Sequence, residues 1–363
     1  MPKLHFGIND EYIMGMSSNF NYNNKLAMFD LDYTLIKPKS NKKISLDPND
    51  WKFLYNNVPE KLEEYYNRNY TIIIISNQLK MKSDDLQYKL NNIYNEILKK
   101  IETKIEIIIF IATKKNKFRK PSPSFFKVIE EYNKSENENY ELNKKNFFCG
   151  DAAGRTGDHS DCDYKFALNC NVIFKLPEEI FDNKTNILLP TIDYPDLKTI
   201  VSNHEEFKFS PSNKKEIVIM IGYPASGKST IAKKINKLYD YEIINQDTLK
   251  TKAKCHKMVK EFIKEGKSIV IDNTNPNIET REFYINIAKE NNYFLTAIHM
   301  KTSYELSMHN NYFRNTTIIP EIAYRIYKNK FSKPSLEEGF DRIIKQNIIF
   351  NKNIDLSYFY YLY

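Results

Sequence analysis

The chain has no apolar run of the roughly eighteen residues that a membrane-spanning helix needs, so no span is expected. The stretch before Leu26 is polar, with Asn and Ser, and lacks the apolar core of a secretory signal. Cysteine is sparse: Cys149, Cys162, Cys170 and Cys255 show no C-x-x-C spacing, and the six histidines are scattered. Neither a disulfide framework nor a structural zinc site is indicated, and a reducing compartment fits. Charge imbalance is also small, +8 over 363 residues, with Lys abundant beside Asn, Ile and Tyr, so charge alone decides little about partners. By itself the run Lys114, Lys115, Lys117, Arg119 and Lys120 reads as a solvated face. What the chain does have is length: 363 residues exceed what one core usually fills, and two domains are expected.

The stretch that organises the rest runs from Ile217 to Thr230. An apolar strand, Ile217–Ile221, enters Gly222-Tyr-Pro-Ala-Ser-Gly227-Lys228-Ser229, the spacing G-x-x-x-x-G-K-[ST] of a phosphate-binding loop. Gly222 and Gly227 let the backbone curl so that the N–H groups of Ala225, Ser226 and their neighbours point at one anion. Lys228 reaches the β- and γ-phosphates of ATP, Ser229 ligates Mg²⁺, and Thr230 opens the helix. A nucleoside triphosphate is expected here.

In the first half, Lys25–Phe29 is an apolar strand that delivers Asp30, Asp32 and Thr34, a D-x-D-x-T signature. One carboxylate can attack a phosphoryl group while the other moves the proton. On that signature alone, an acidic loop capping a helix reads equally well. Further pieces break the tie. Tyr70–Ile75 is a buried parallel-type strand ending in Ser76 and Asn77. Another covers Ile105–Ile111, followed by Lys120 before Pro121, where helix is disfavoured. Phe147–Cys149 leads to Gly150-Asp151, a carboxylate suited to Mg²⁺. Helical patterns lie between them, and ligands of such parallel sheets gather at the strands' carboxyl ends. Asp158, Asp161 and Asp163 follow, each a further metal-shell candidate, with an acidic surface loop the expected account of at least two.

A proline-bearing stretch from Phe181 to Lys215 separates the halves. The boundary is expected near Ser210, giving an extension at 1–21, a first domain at 22–209 and a second at 210–363. Ile187, Leu188, Leu189, Ile192 and Leu197 suggest that the connection packs. Beyond the loop helix, Asp247 follows a strand either as a helix cap or as the base on an attacking hydroxyl. Asp272 supports Mg²⁺ or a turn. Arg314 closes a helical segment, either as a lid contact to the transferring phosphates or as a solvent-facing arginine.

The first-half pattern resembles the haloacid-dehalogenase superfamily of Mg²⁺-dependent phosphatases. That resemblance implies Asp30 as nucleophile, Asp32 as general acid and base, Thr34, Ser76, Asn77 and Lys120 on the phosphate, and Asp30, Asp32 and Asp151 around the metal. Taken whole, the chain resembles the bifunctional polynucleotide kinase 3′-phosphatase family, through Asp30–Thr34, Ile75–Gln78, Phe118–Pro121, Gly150–Arg155, Phe166–Asn169, Pro177–Glu179, Gly222–Thr230, Asn245–Leu249, Asp272–Pro276, His309–Arg314 and Glu338–Phe340. The implied fold is α/β: two parallel-sheet domains, a haloacid-dehalogenase-like phosphatase and then a P-loop kinase. The implied activity removes 3′-phosphates and phosphorylates 5′-hydroxyls of DNA strand breaks, with Mg²⁺ and ATP, before ligation. The implied base is Asp247. DNA is the expected partner, with RNA as the alternative, for a monomer in the nucleus or another DNA-containing compartment.

Two departures stand out: Gln246 occupies a position where the family usually has Arg, and the roughly twenty residues before the phosphatase strand are too few for a forkhead-associated domain. The competing expectations are a small-molecule phosphatase fused to a nucleoside or sugar kinase, and a bridging module with decayed sites. Beside such a pocket, Lys114, Lys115, Lys117, Arg119 and Arg155 become candidates for a nucleic-acid backbone. Affinity for DNA is expected to fall linearly with salt on a log–log plot, by counterion release. Titrations at rising salt check this, and a salt-independent affinity would remove the charge argument.

Overall fold

The computed structural model describes residues 3–18, 23–40, 42–136, 143–191, 207–313 and 318–350. They fall into two compact units, divided between the 143–191 and 207–313 stretches.

The first unit is organised on β1 (His5–Ile8), β2 (Ile13–Met16), β3 (Lys25–Phe29), β4 (Ile36–Lys37), β5 (Lys52–Phe53), β6 (Tyr70–Asn77), β7 (Ile107–Ala112), β8 (Phe147–Cys149) and β9 (Ile173–Lys175). Seven of these make one sheet in the order β1-β2-β7-β6-β3-β8-β9, and β4 and β5 pair separately. The isoleucine runs of β6 and β7 suit a sheet covered on both faces, where β-branched side chains pack well. Alternation then sorts them. Ile72, Ile74, Ile107, Ile109, Ala27 and Phe29 join the core under helices Val58–Asn67 and Ser83–Lys100. Ile73, Ile75, Ile108, Phe110, Leu26 and Met28 join the opposite core with Phe125, Ile129 and Phe166 from helices Ser124–Glu136 and Cys162–Cys170. Each such side chain stabilises the fold by about 1.5–3 kcal/mol through burial.

The segment read as an extension is part of this sheet. β2 runs antiparallel to β7, pairing Ile13 with Ile111 and Met16 with Ile108, and β1 folds back on β2. Ser17 locks the join, its hydroxyl donating to the Ile107 carbonyl at 3.2 Å and accepting from the Ile107 amide at 3.0 Å. The hairpin covers what would otherwise be an open edge. At the other end Leu188 is exposed, against the expectation of packing, and Ile192 and Leu197 lie outside the described residues.

The second unit is a parallel sheet of β10 (Glu216–Ile221), β11 (Glu242–Ile244), β12 (Ile269–Ile271), β13 (Phe294–Met300) and β14 (Arg342–Gln346), ordered β11-β12-β10-β13-β14. One face packs Ile217, Ile219 and Ile271 against Val259 and Ile285. The other packs Val218, Met220 and Ile298 against Ile231 and Ile235 of helix Lys228–Tyr239, with Phe207 and Phe209 joining from ahead of β10.

At the amino end of β10, Glu216 is fully buried. Its carboxylate accepts from Tyr241 Oη at 2.7 Å, Arg342 Nη2 at 2.7 Å, the Ser212 amide at 3.1 Å and the Thr296 hydroxyl. A buried carboxylate that loses its cation is costly, so Arg342→Ala is expected to destabilise this unit by about 3 kcal/mol. Adding Glu216→Gln should recover part of the loss in chemical denaturation. Equal midpoints for the single and double variants would show that the pair carries no such energy.

Candidate active sites

The first site forms where β3, β6, β7 and β8 end side by side. The Asp30 amide donates to the Cys149 carbonyl at 2.8 Å, fixing the exit of β3 beside β8. Asn77, at the end of β6, holds the loop after β7: it accepts from the Lys120 amide at 2.9 Å and donates to the Lys120 carbonyl at 3.1 Å. This clamp aims a buried ammonium. Lys120 Nζ lies 2.6 Å from Asp30 and 2.7 Å from Asp163. Asp163 is itself buried, and its carboxylate accepts from the Ala152 amide at 3.1 Å. It packs so tightly on Gly150 that a Cβ there would sit 2.4 Å from its Oδ2.

Oxygens of Asp30, Asp151 and Asp163 all lie within 4.8 Å of one another. Three hard carboxylate ligands against one ammonium leave uncompensated negative charge, the condition that a divalent cation relieves. The strain of this arrangement shows in the protonation equilibria. Burial raises the Asp30 pKa well above the carboxylate range, opposed by Lys120 and reinforced by Asp163 and Asp151. Burial, then Asp163, pushes Asp151 up to about 7. For Lys120, burial works against the charge, but Asp163 and Asp30 outweigh it and hold its pKa raised.

The side chain of Asp32 stands apart from this triad. Its Oδ1 lies 3.6 Å from Lys89 Nζ and its Oδ2 accepts from Gln78, so the third side chain of the carboxylate cluster is Asp163. Asp32 lies beyond the strand, in the turn where it bridges back to Ile36, and its side chain is half-exposed there. Ser76 is buried and accepts from Gln78 at 3.3 Å. The Thr34 hydroxyl is fully buried and has no hydrogen-bond partner. The acidic loop resolves as anticipated for two of its members, with Asp158 on Arg155 and Asp161 on Lys165. Arg155 also pairs with Glu178, so its guanidinium joins the loop to helix Pro177–Phe181 rather than standing open to a nucleic-acid phosphate. Lys114, Lys115 and Lys117 are exposed and Arg119 is half-buried, on the segment that leads into Lys120.

In the second unit the loop after β10 has the required curl. A Cβ on Gly222 would meet Ser226 Oγ at 2.8 Å and Met300 Cβ at 2.9 Å, and Gly227 is left-handed at φ 97°. Ala225 is also left-handed, at φ 54°. Lys228 Nζ donates to the Gly222 carbonyl at 3.1 Å, and Ser229 and Thr230 are exposed on the first helical turn. The Thr302 hydroxyl donates to the Ser226 carbonyl at 2.8 Å and Asn310 Nδ2 to the Ala225 carbonyl at 3.1 Å.

Asp247 does not cap its helix. Asn245 does, accepting from the Asp247 amide at 2.8 Å, which leaves the Asp247 carboxylate exposed. Asp272, at the end of β12, is buried with Oδ1 unpartnered, a donor placed to meet a cation. Arg314 lies outside the described residues. Sequence reading missed Arg281, which is fully buried and pairs with Glu338 through two contacts of 2.8 Å while donating to the Asn275 carbonyl at 3.1 Å. Asn275 in turn donates to the Met220 carbonyl, so Arg281 braces the nucleotide loop from behind.

Two family models match this chain, one in each half. The family model described as polynucleotide kinase 3 phosphatase matches residues 25–181, and that of an AAA domain matches 217–334. A bifunctional polynucleotide phosphatase/kinase of Schizosaccharomyces pombe is 36% identical over 94% of this chain and 84% of that one. The chain belongs to the bifunctional polynucleotide phosphatase/kinase family. A mimivirus protein described as a putative bifunctional polynucleotide phosphatase/kinase is 34% identical over 95% of this chain and 90% of that one. A polynucleotide 3′-phosphatase of Saccharomyces cerevisiae is 31% identical over 42% of this chain and 85% of its own length.

The geometry sets two expectations. Gly150→Ala forces the Asp163 carboxylate aside and should lower divalent-cation affinity at least about ten-fold, read by calorimetry; unchanged affinity would remove Asp163 from the ligand set. Because the Asp151 pKa is raised to about 7, a proton competes with the cation below that pH, so affinity should decline as pH falls through 7 and flatten in Asp151→Asn.

Proposed function

We propose that the first unit is the 3′-phosphatase and the second the ATP-dependent 5′-hydroxyl kinase, together making the ends of broken DNA ready for ligation. In the first pocket, Asp30, Asp151 and Asp163 would hold Mg²⁺, whose charge offsets that of the phosphate. Asp30 attacks phosphorus and forms the aspartyl-phosphate, while Asp32 donates its proton to the departing 3′-oxygen. Asp32, then a base, takes a proton from the water that hydrolyses the acyl-phosphate and so resets itself. Lys120 favours the anionic form of Asp30 against its burial and, with Ser76 and Thr34, meets the phosphate oxygens. Asn77 acts one step back, by fixing the Lys120 backbone.

In the second pocket, the Gly222–Gly227 amides and Lys228 take the triphosphate of ATP, with Ser229 and Asp272 on its Mg²⁺. Asp247 accepts the proton of the 5′-hydroxyl as that oxygen attacks the terminal phosphorus, and Arg314 is assigned to the transferring phosphate. DNA is the substrate class, met in part by Lys114, Lys115 and Lys117. A monomer in the nucleus, or another DNA-containing compartment, fits this use.

The observation that carries the reading is the buried group of Asp30, Lys120, Asp151 and Asp163 in the same chain as a complete phosphate-binding loop. One oligonucleotide bearing a 3′-phosphate and a 5′-hydroxyl, incubated with ATP and Mg²⁺, reports both ends at once. Asp30→Asn should cut 3′-phosphate release by at least about a hundred-fold and spare the kinase, and Lys228→Ala should do the reverse. Loss of both activities in either variant would contradict two separate sites.

A further inference from the structure

The turn that leaves the catalytic strand carries an aromatic residue in a conformation that aromatic residues avoid. Tyr33 has φ 58°, in the left-handed region, where a bulky side chain is strained. Such strain persists only where surrounding contacts over-determine it. The contacts of Tyr33 run towards one segment. Its hydroxyl donates to the Lys43 carbonyl at 2.9 Å and the Lys42 carbonyl at 3.4 Å. Its amide donates to the Ile36 carbonyl at 2.7 Å, at the start of β4.

The segment so held lies in the connection from β4 to β5. These strands pair at its base, Ile36 with Phe53 and Lys37 with Lys52. Farther out, Asp50 accepts from the Ser40 amide at 2.7 Å and from the Ser40 hydroxyl. At its outer part Lys42 and Lys43 are exposed, and beside them Ile44 and Leu46 are 64% and 54% exposed. Ammonium groups beside apolar side chains suit the alternating phosphates and base faces of a single strand. Tyr33 also stands close to the chemistry: after burial, the charges of Asp32 and Asp151 are what raise its pKa.

We propose that Tyr33 is a positioning residue that holds the 42–50 segment beside the phosphatase pocket, so that Lys42 and Lys43 meet the phosphates of a strand whose 3′ end reaches Asp30. The inference rests on the 3′-phosphatase reading above. It assigns to Tyr33 a part in binding the strand and none in the chemistry. Tyr33→Phe deletes only the hydroxyl; Tyr33→Gly also removes the ring and accepts the left-handed backbone without strain.

The test compares a 3′-phosphorylated oligonucleotide with p-nitrophenyl phosphate, a small ester with no strand to hold, in the full-length protein with Mg²⁺. Tyr33→Phe should raise KM for the oligonucleotide about five-fold, the worth of one hydrogen bond, with kcat and small-ester turnover unchanged. Tyr33→Gly should raise that KM at least as far while melting no lower than wild type. Wild-type KM in both variants, or an equal loss on both substrates, would overturn the proposal. A wild-type protein that hydrolyses the small ester and ignores the oligonucleotide would overturn the polynucleotide reading and this inference with it, and is told apart by the wild-type arm alone.

Discussion

The first unit depends on one ammonium. Lys120 is buried between Asp30 and Asp163, 2.6 and 2.7 Å away, and no other cation is paired with those carboxylates among the described residues. Carboxylates as close as Asp30, Asp151 and Asp163 repel strongly in a dry site, and without a counter-charge they would protonate or separate. Lys120 therefore offsets part of what burial costs the charged form of Asp30. Much of the local sequence serves its placement: Asn77 clamps its backbone, Gly150 clears room for Asp163, and the Ala152 amide steadies that carboxylate.

Both units solve the placement problem by the same means. Parallel strands buried on both faces are built from β-branched and aromatic runs, and their carboxyl ends bring distant loops to one point. In the first unit that point collects residues from Asp30 to Asp163; in the second it collects Gly222, Asp247, Asp272 and the Thr302 and Asn310 contacts. Asp30, Lys120, Asp151 and Asp163 sit beyond the strands, while Ser76 and Asn77 are still paired with Ile111 and Ala112 of β7.

The strands and the residues that follow them were legible because isoleucine runs and motif spacings are strong local signals. What was not legible depended on contacts across the sheet. Asp163 was one of three acidic residues within a short loop, and only the fold shows that Asp158 and Asp161 have basic partners while Asp163 faces Lys120. The β1–β2 hairpin was hidden because each of its strands is only four residues long, and its place in the sheet comes from pairing with β7. Asn77 reads as a phosphate ligand by position, and the bonds of its side chain to the Lys120 backbone show only in the fold. Cap competition at Asn245 and Asp247 is likewise decided by geometry: the strand exit gives the capping dihedrals to Asn245.

The buried Arg281 gives the second unit an unusual economy. One guanidinium gathers the turn at Asn275, the segment at Ser332 and the short 3₁₀ turn at Glu338, so residues remote along the chain share a single anchor with the wall of the nucleotide loop. The matched AAA-domain region ends at residue 334, ahead of Glu338 and of β14. A fragment trimmed to that match would keep every residue of the loop motif and strand a naked positive charge in its interior. The folded second unit is accordingly longer than its recognisable signature.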